Sequence, residues 1–169
     1  MNTKDYFIHT WKKEIKTTAN AFNALPSDKL DYRPHPKTRS AKDIVEHLTP
    51  HAEAMIEAFE KGTIHHQTEW KTESIPQAVE HLNKSNARME QAIQKVDEKT
   101  WNEKIIPFYI GENKVFEAPL RDMCYSYLYD MIHHRGQLST YYRPMGVKNP
   151  SIYGPTAEME EEMMVSQNS

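Results

Sequence analysis

Between Pro119 and about Tyr142 large apolar residues recur with the period of a helix, and two strongly hydrated groups, Asp130 and His134, are set into that row. They are four residues apart, so in a helix their side chains stand one above the other on one face and can grip a single ion. At about 100° per residue, Met123, Tyr127, Met131, Leu138 and Tyr141 fall on the same side, which predicts that the pair points inward. A buried carboxylate beside a buried imidazole is costly unless both have partners. The partner is either another side chain or a metal.

The rest of the chain supplies three further helices. From Tyr6 to Leu25 the residues Tyr6, Trp11, Ile15, Phe22 and Leu25 give one apolar stripe, closed by Pro26. Pro34 and Pro36 make residues 27–39 a loop. Ser40 with Asp43 reads as a capping box opening a second helix that runs to Gly62. Its stripe holds His47 and His51, and Pro50 is expected to bend the axis between them, aiming His47 into the bundle and rotating His51 away. Residues 63–73 read as a loop. Ser74-Ile75-Pro76-Gln77 caps a third helix to about Asp97, with Ala78, Leu82, Ser85, Met89, Ile93 and Val96 on its inner side.

From Trp101 to Glu117 the helical period stops, and Ile105 to Phe116 around Gly111-Glu112-Asn113-Lys114 reads as a short hairpin or extended crossover, long enough to carry the chain along a bundle. Gly136, inside the fourth helix, predicts a close neighbour at His134. The expected fold is all-α: one four-helix domain over residues 1–155, with an acidic tail over 156–169 that is frayed unless a partner holds it.

Charge narrows the function. Lysine and arginine total 21 against 24 aspartates and glutamates, with no basic block to follow a polyanion, so no nucleic-acid partner is expected. A single cysteine, Cys124, excludes an intrachain disulfide and a cysteine-built zinc site. No signal-like or membrane-length apolar run is present, which makes the cytoplasm the expected compartment and a membrane an unexpected partner. Of the nine histidines, His35, His65, His66 and His81 sit in polar surroundings and are read as surface residues.

The run His133-His134-Arg135-Gly136-Gln137-Leu138, followed by Tyr142-Arg143-Pro144-Met145-Gly146 and Pro150-Ser151-Ile152-Tyr153-Gly154-Pro155, resembles the DinB family of metal-binding four-helix proteins. The resemblance implies a DinB-type bundle with a long crossover before the last helix. It also implies a divalent ion held by one histidine of the second helix and two ligands on the last, here His47, Asp130 and His134. The chain departs from the commoner pattern at Asp130, where a third histidine is usual. One carboxylate in place of an imidazole leaves a divalent ion with a net single charge, a milder Lewis acid, and favours harder ions, so zinc, manganese and iron stand beside nickel.

Around that set, His51 is the rival ligand, and Tyr127, His133, Gln137 and Tyr141 are candidates to line the site or support its ligands by hydrogen bonds. Arg135 reads as an ion-pair residue and Cys124 as a buried, inert thiol. The resemblance implies a metal-dependent enzyme on a small molecule, either a thiol S-transferase or a hydrolase. The alternatives are a non-catalytic metal-binding or stress-response bundle and a metal-free dimerising bundle; a homodimer is expected in any case.

Overall fold

Helix α1 (Thr3–Asn23) is set by Phe7, Trp11, Ile15 and Phe22, which lie on one side and are buried. Each such side chain removed from water contributes roughly 1.5–3 kcal/mol before the cost of ordering it. Tyr6, expected in this stripe, is exposed, and its neighbour Phe7 takes the inward place between Trp11 and Trp101. The structure, a computed structural model, describes residues 2–66 and 70–167. Part of the expected loop over 63–73 and the last residues of the tail lie outside that description.

The expected second helix is two helices. Ser40 and Asp43 form the complete capping box, with both reciprocal bonds present, and start α2 (Ala41–Leu48). Pro50 lacks the amide that would continue the ladder, so the helix stops rather than bends, and α3 (His51–Lys61) begins one residue later. Gly62 ends α3 at φ 76°, where a side chain would be strained.

Helix α4 (Ile75–Gln94) packs on α1 and α3 through the predicted stripe, and Ser74 caps it. It stops three residues short of Asp97, which instead caps a separate short helix, α5 (Glu98–Glu103), burying Trp101. Sequence reading assigned Trp101 to the non-helical crossover; six residues are too few to show a helical period.

The bundle is therefore α1, the broken pair α2 and α3, α4, and α6 (Leu120–Ser139). It is not strictly all-α. Strand β1 (Ile64–His65) lies parallel to β2 (Ile105–Ile110), which pairs antiparallel with β3 (Asn113–Pro119). The hairpin was legible in the sequence, but β1 was not, because a two-residue strand carries no alternation to read. β1 places Ile64 opposite Phe108, and β2 places Phe108 opposite Phe116, so α3 holds the hairpin beside the end of the bundle.

Arg135 of α6 is buried and reaches the Glu14 carboxylate, the Glu14 carbonyl and Thr18 Oγ1 on α1, with Tyr153 closing over it from the segment after the helix. Removing one partner of such a buried pair costs about 3–5 kcal/mol. Outside its own helix backbone, Gly136 has no heavy atom of the described residues within 4 Å of where a Cβ would stand, so the close neighbour expected there is absent among them. The acidic tail forms α7 (Ala157–Gln167), tied back by Arg143 to Glu158 and Lys148 to Glu162.

Candidate metal centre

Three elements converge on Asp130. Helix α2 presents His47 in its last turn, α3 presents His51 in its first, and α6 carries Asp130 with His134 one turn on. His47 Nε2 and His51 Nε2 both donate to Asp130 Oδ2 at 2.8 Å. His134 Nε2 stands 3.4 Å from the other oxygen, Oδ1. His47, Asp130 and His134 each offer a ligand atom, and the three atoms lie within 4.8 Å of one another.

The protonation of His134 can be worked out from its partners. Arg39 Nη1 lies 2.9 Å from His134 Nε2, and a guanidinium only donates, so Nε2 is the acceptor and carries a lone pair. The proton of the neutral ring is then on Nδ1, which donates to Gln137 Oε1 at 2.8 Å. The amide of Gln137 in turn donates to His133 Nε2 at 3.1 Å. His134 Nε2, whose lone pair accepts from Arg39, and Asp130 Oδ1 are therefore two acceptor atoms 3.4 Å apart with no proton between them, and a cation that displaced Arg39 could join them. Ligands at about 2.1 Å in a tetrahedral shell are about 3.4 Å apart, so the observed gap suits a metal.

Burial alone would raise the Asp130 pKa, but the hydrogen bonds around the carboxylate, among them those from His47 and His51 to Oδ2, outweigh it and hold the carboxyl well below the usual range, so the group is an anion. Burial pushes His51 down, and repulsion by His47 and His134 adds to that, against the pull of Asp130. A neutral His51 donates one hydrogen bond to the carboxylate and so orients it. His47 donates in the same way, and moving its proton to Nδ1 turns its Nε2 into a ligand. The residues present fit a divalent ion: two imidazole nitrogens, one carboxylate, and a buried histidine steering that carboxylate.

The structure thus brings together His47, Asp130 and His134, with Gln137 bonded behind His134. It overturns the reason for setting His51 aside. Stopping the helix at Pro50 does not rotate His51 away; His51 is 5% exposed and shares an oxygen of Asp130 with His47. Asp130 is also less enclosed than its place in the apolar row suggested, with its side chain 39% exposed at the mouth of a cavity. His133 is exposed. Tyr141 does not line the cavity at Asp130 but flanks His134 and Gln137 in a separate depression, and its hydroxyl donates to the Arg39 carbonyl at 2.9 Å, fixing the residue that reaches His134. Tyr127 packs edge-on against the His51 ring at 4.9 Å, and burial raises its pKa well above the usual value, which keeps it a neutral donor.

Sequence reading missed Arg39, His66, Phe108 and Phe116. His66, read as a surface residue, lines the cavity with His47 and Asp130, its ring tilted 43° to that of Phe108 with the centroids 6.0 Å apart. Nothing local marks it, because the parallel pairing of β1 puts it there. Arg39 had one available signal: it immediately precedes the cap of the helix that carries His47.

A model of the DinB family matches residues 1–164. No curated protein matches the chain. Among solved structures, a DinB-like protein from Bacillus subtilis superposes with a TM-score of 0.68 at 16% identity, covering 88% of this chain and 96% of that one. A DinB-like protein from Bacillus cereus gives 0.68 at 18% identity, over 87% and 95% of the two chains. YfiT from Bacillus subtilis, described as a probable metal-dependent hydrolase with an unusual four-helix bundle topology, gives 0.67 at 16% identity over 86% and 89%. At these identities the likeness concerns the fold.

Proposed function

The chain belongs to the DinB family, and from that premise we propose that it binds a divalent metal through His47, Asp130 and His134 and uses it to hydrolyse a small molecule. The observation that carries this is the convergence of one ligand atom each from His47, Asp130 and His134 within 4.8 Å, with Asp130 Oδ1 and His134 Nε2 3.4 Å apart. When bound, the ion supplies Lewis acidity toward water or a thiol. The protein's own groups do the rest. His51 holds the carboxylate in one orientation, Gln137 fixes the His134 tautomer, and three protein ligands leave positions for substrate.

Hydrolysis is preferred over thiol transfer on two grounds. YfiT, which shares the fold, is described as a probable metal-dependent hydrolase. The chain's own thiol, Cys124, is buried with its pKa pushed well up and does not line the cavity, so a transfer reaction needs a thiol brought in as a second substrate.

Protein purified without an affinity tag is expected to hold about one zinc, manganese, nickel or iron per chain. Asp130→Asn keeps the shape but removes the charge, and is expected to weaken metal binding by at least about 100-fold while still melting cooperatively. Wild-type protein with no stoichiometric metal, and no rise in Tm on adding zinc, nickel or manganese, would overturn the proposal.

A further inference from the structure

Beside Asp130 lies a cavity of about 240 Å³ whose far wall is carbon: Pro50, Ala54, Phe108, Phe116 and Met123. The two phenyl rings stack at 4.9 Å and 21°, forming a flat apolar side contributed by the hairpin. No lysine or arginine lines the cavity among the described residues. Arg39 and Lys71 line a separate depression that shares only His47 and His66 with this one. The cavity therefore offers apolar contact and no counter-charge for an anion. Of its hydroxyl donors, Ser126 is committed to the Asp122 carbonyl, whereas Tyr127 makes no hydrogen bond among the described residues.

We propose that this cavity seats an uncharged apolar group, an aryl ring or a medium-length acyl chain, belonging to the small molecule that reacts at the metal centre. In this placement the group lies between the Phe108–Phe116 stack and Met123, and the polar end of the molecule meets Asp130, His47 and the Tyr127 hydroxyl. Size supports it, since a cavity of about 150 Å³ lined by aliphatic and aromatic side chains takes up benzene, so this one holds roughly a substituted ring or a six-carbon chain. The assignment rests on the metal reading only in taking the bound molecule as substrate; the cavity's preference for apolar groups stands apart from it.

Two arms separate these parts. In the first, full-length protein treated with a chelator is titrated with fluorobenzene and followed by fluorine NMR. Wild type is expected to bind saturably. Ser126→Trp introduces a ring at an exposed position on the cavity rim, and Ala54→Phe fills the cavity from α3. Each variant that melts cooperatively is expected to bind at least tenfold more weakly while keeping its metal uptake. No saturable binding by wild type, or undiminished binding in the folded variants, overturns the proposal.

In the second arm, metal-loaded protein is assayed on p-nitrophenyl esters from acetate to hexanoate. Wild-type kcat/KM is expected to rise with chain length, by up to roughly fourfold per buried methylene, and to stay level in Ser126→Trp. A level wild-type series overturns the substrate assignment. Inactivity toward all the esters with fluorobenzene binding intact overturns the hydrolytic reading and leaves the cavity's chemistry supported.

Discussion

Arg39 donates into the lone pair on His134 that a metal must use, so ion and guanidinium compete for one nitrogen. They also repel. Two unit charges about 4 Å apart in water interact by about 1 kcal/mol, and Arg39 is exposed, which keeps the interaction near that figure. Arg39→Met is therefore expected to tighten metal binding by roughly three- to tenfold in a chelator competition. Unchanged or weaker binding would show that the arginine leaves His134 at no cost. At this scale the sequence was readable where one helix carries both partners: Asp130 and His134 stand four apart on α6, and their pairing follows from helix geometry alone. It was unreadable where the chain crosses to another element, as with His51 and His66, because what places those rings is the stop at Pro50 and the pairing of β1.

The capping box of α2 orients the helix that carries His47, and its carboxylate makes it sensitive to acid. Partial burial would raise the Asp43 pKa, but hydrogen bonds from the Ser40 amide and hydroxyl, helped by Arg33 and Lys71, bring it below its ordinary value. A depressed folded pKa means the contribution is complete above the unfolded value near pH 3.9 and is lost as pH falls through the folded one. Asp43→Ala is expected to cost about 0.5–1 kcal/mol at pH 7, or a Tm lower by roughly 1–4 °C for a chain of this size. The gap to wild type should begin to narrow below about pH 4 and close only as pH falls through the lower folded pKa, where wild type loses the same charge. A gap that stays constant down to pH 2.5 would mean the carboxylate contributes nothing as an anion. Elements with a terminal signal, such as this cap, Gly62 and Ser74, were found from sequence at their true positions. The division of the second helix was misjudged because a proline reads alike whether a helix bends or stops.

In the whole molecule the hairpin leaves apolar surface uncovered, as α7 does with Met159 and Met163. Ile105, Ile110, Val115 and Phe116 are each about half exposed, and β3 ends the sheet with no strand on its outer edge among the described residues. An open edge carrying valine and phenylalanine is a template for another strand, and monomers usually blunt such edges. We predict that a second copy of the chain covers it, so that light scattering at tens of micromolar gives twice the 19.8 kDa chain mass. Val115, at the irregularity between the Phe108–Phe116 and Tyr109–Lys114 pairs, does not line the cavity that Phe116 lines. Val115→Lys should then shift the mass to that of one chain and leave fluorobenzene binding unchanged. A wild-type protein that stays monomeric at these concentrations would remove the dimer. The half-exposed hairpin would then have to be explained by the cavity it walls.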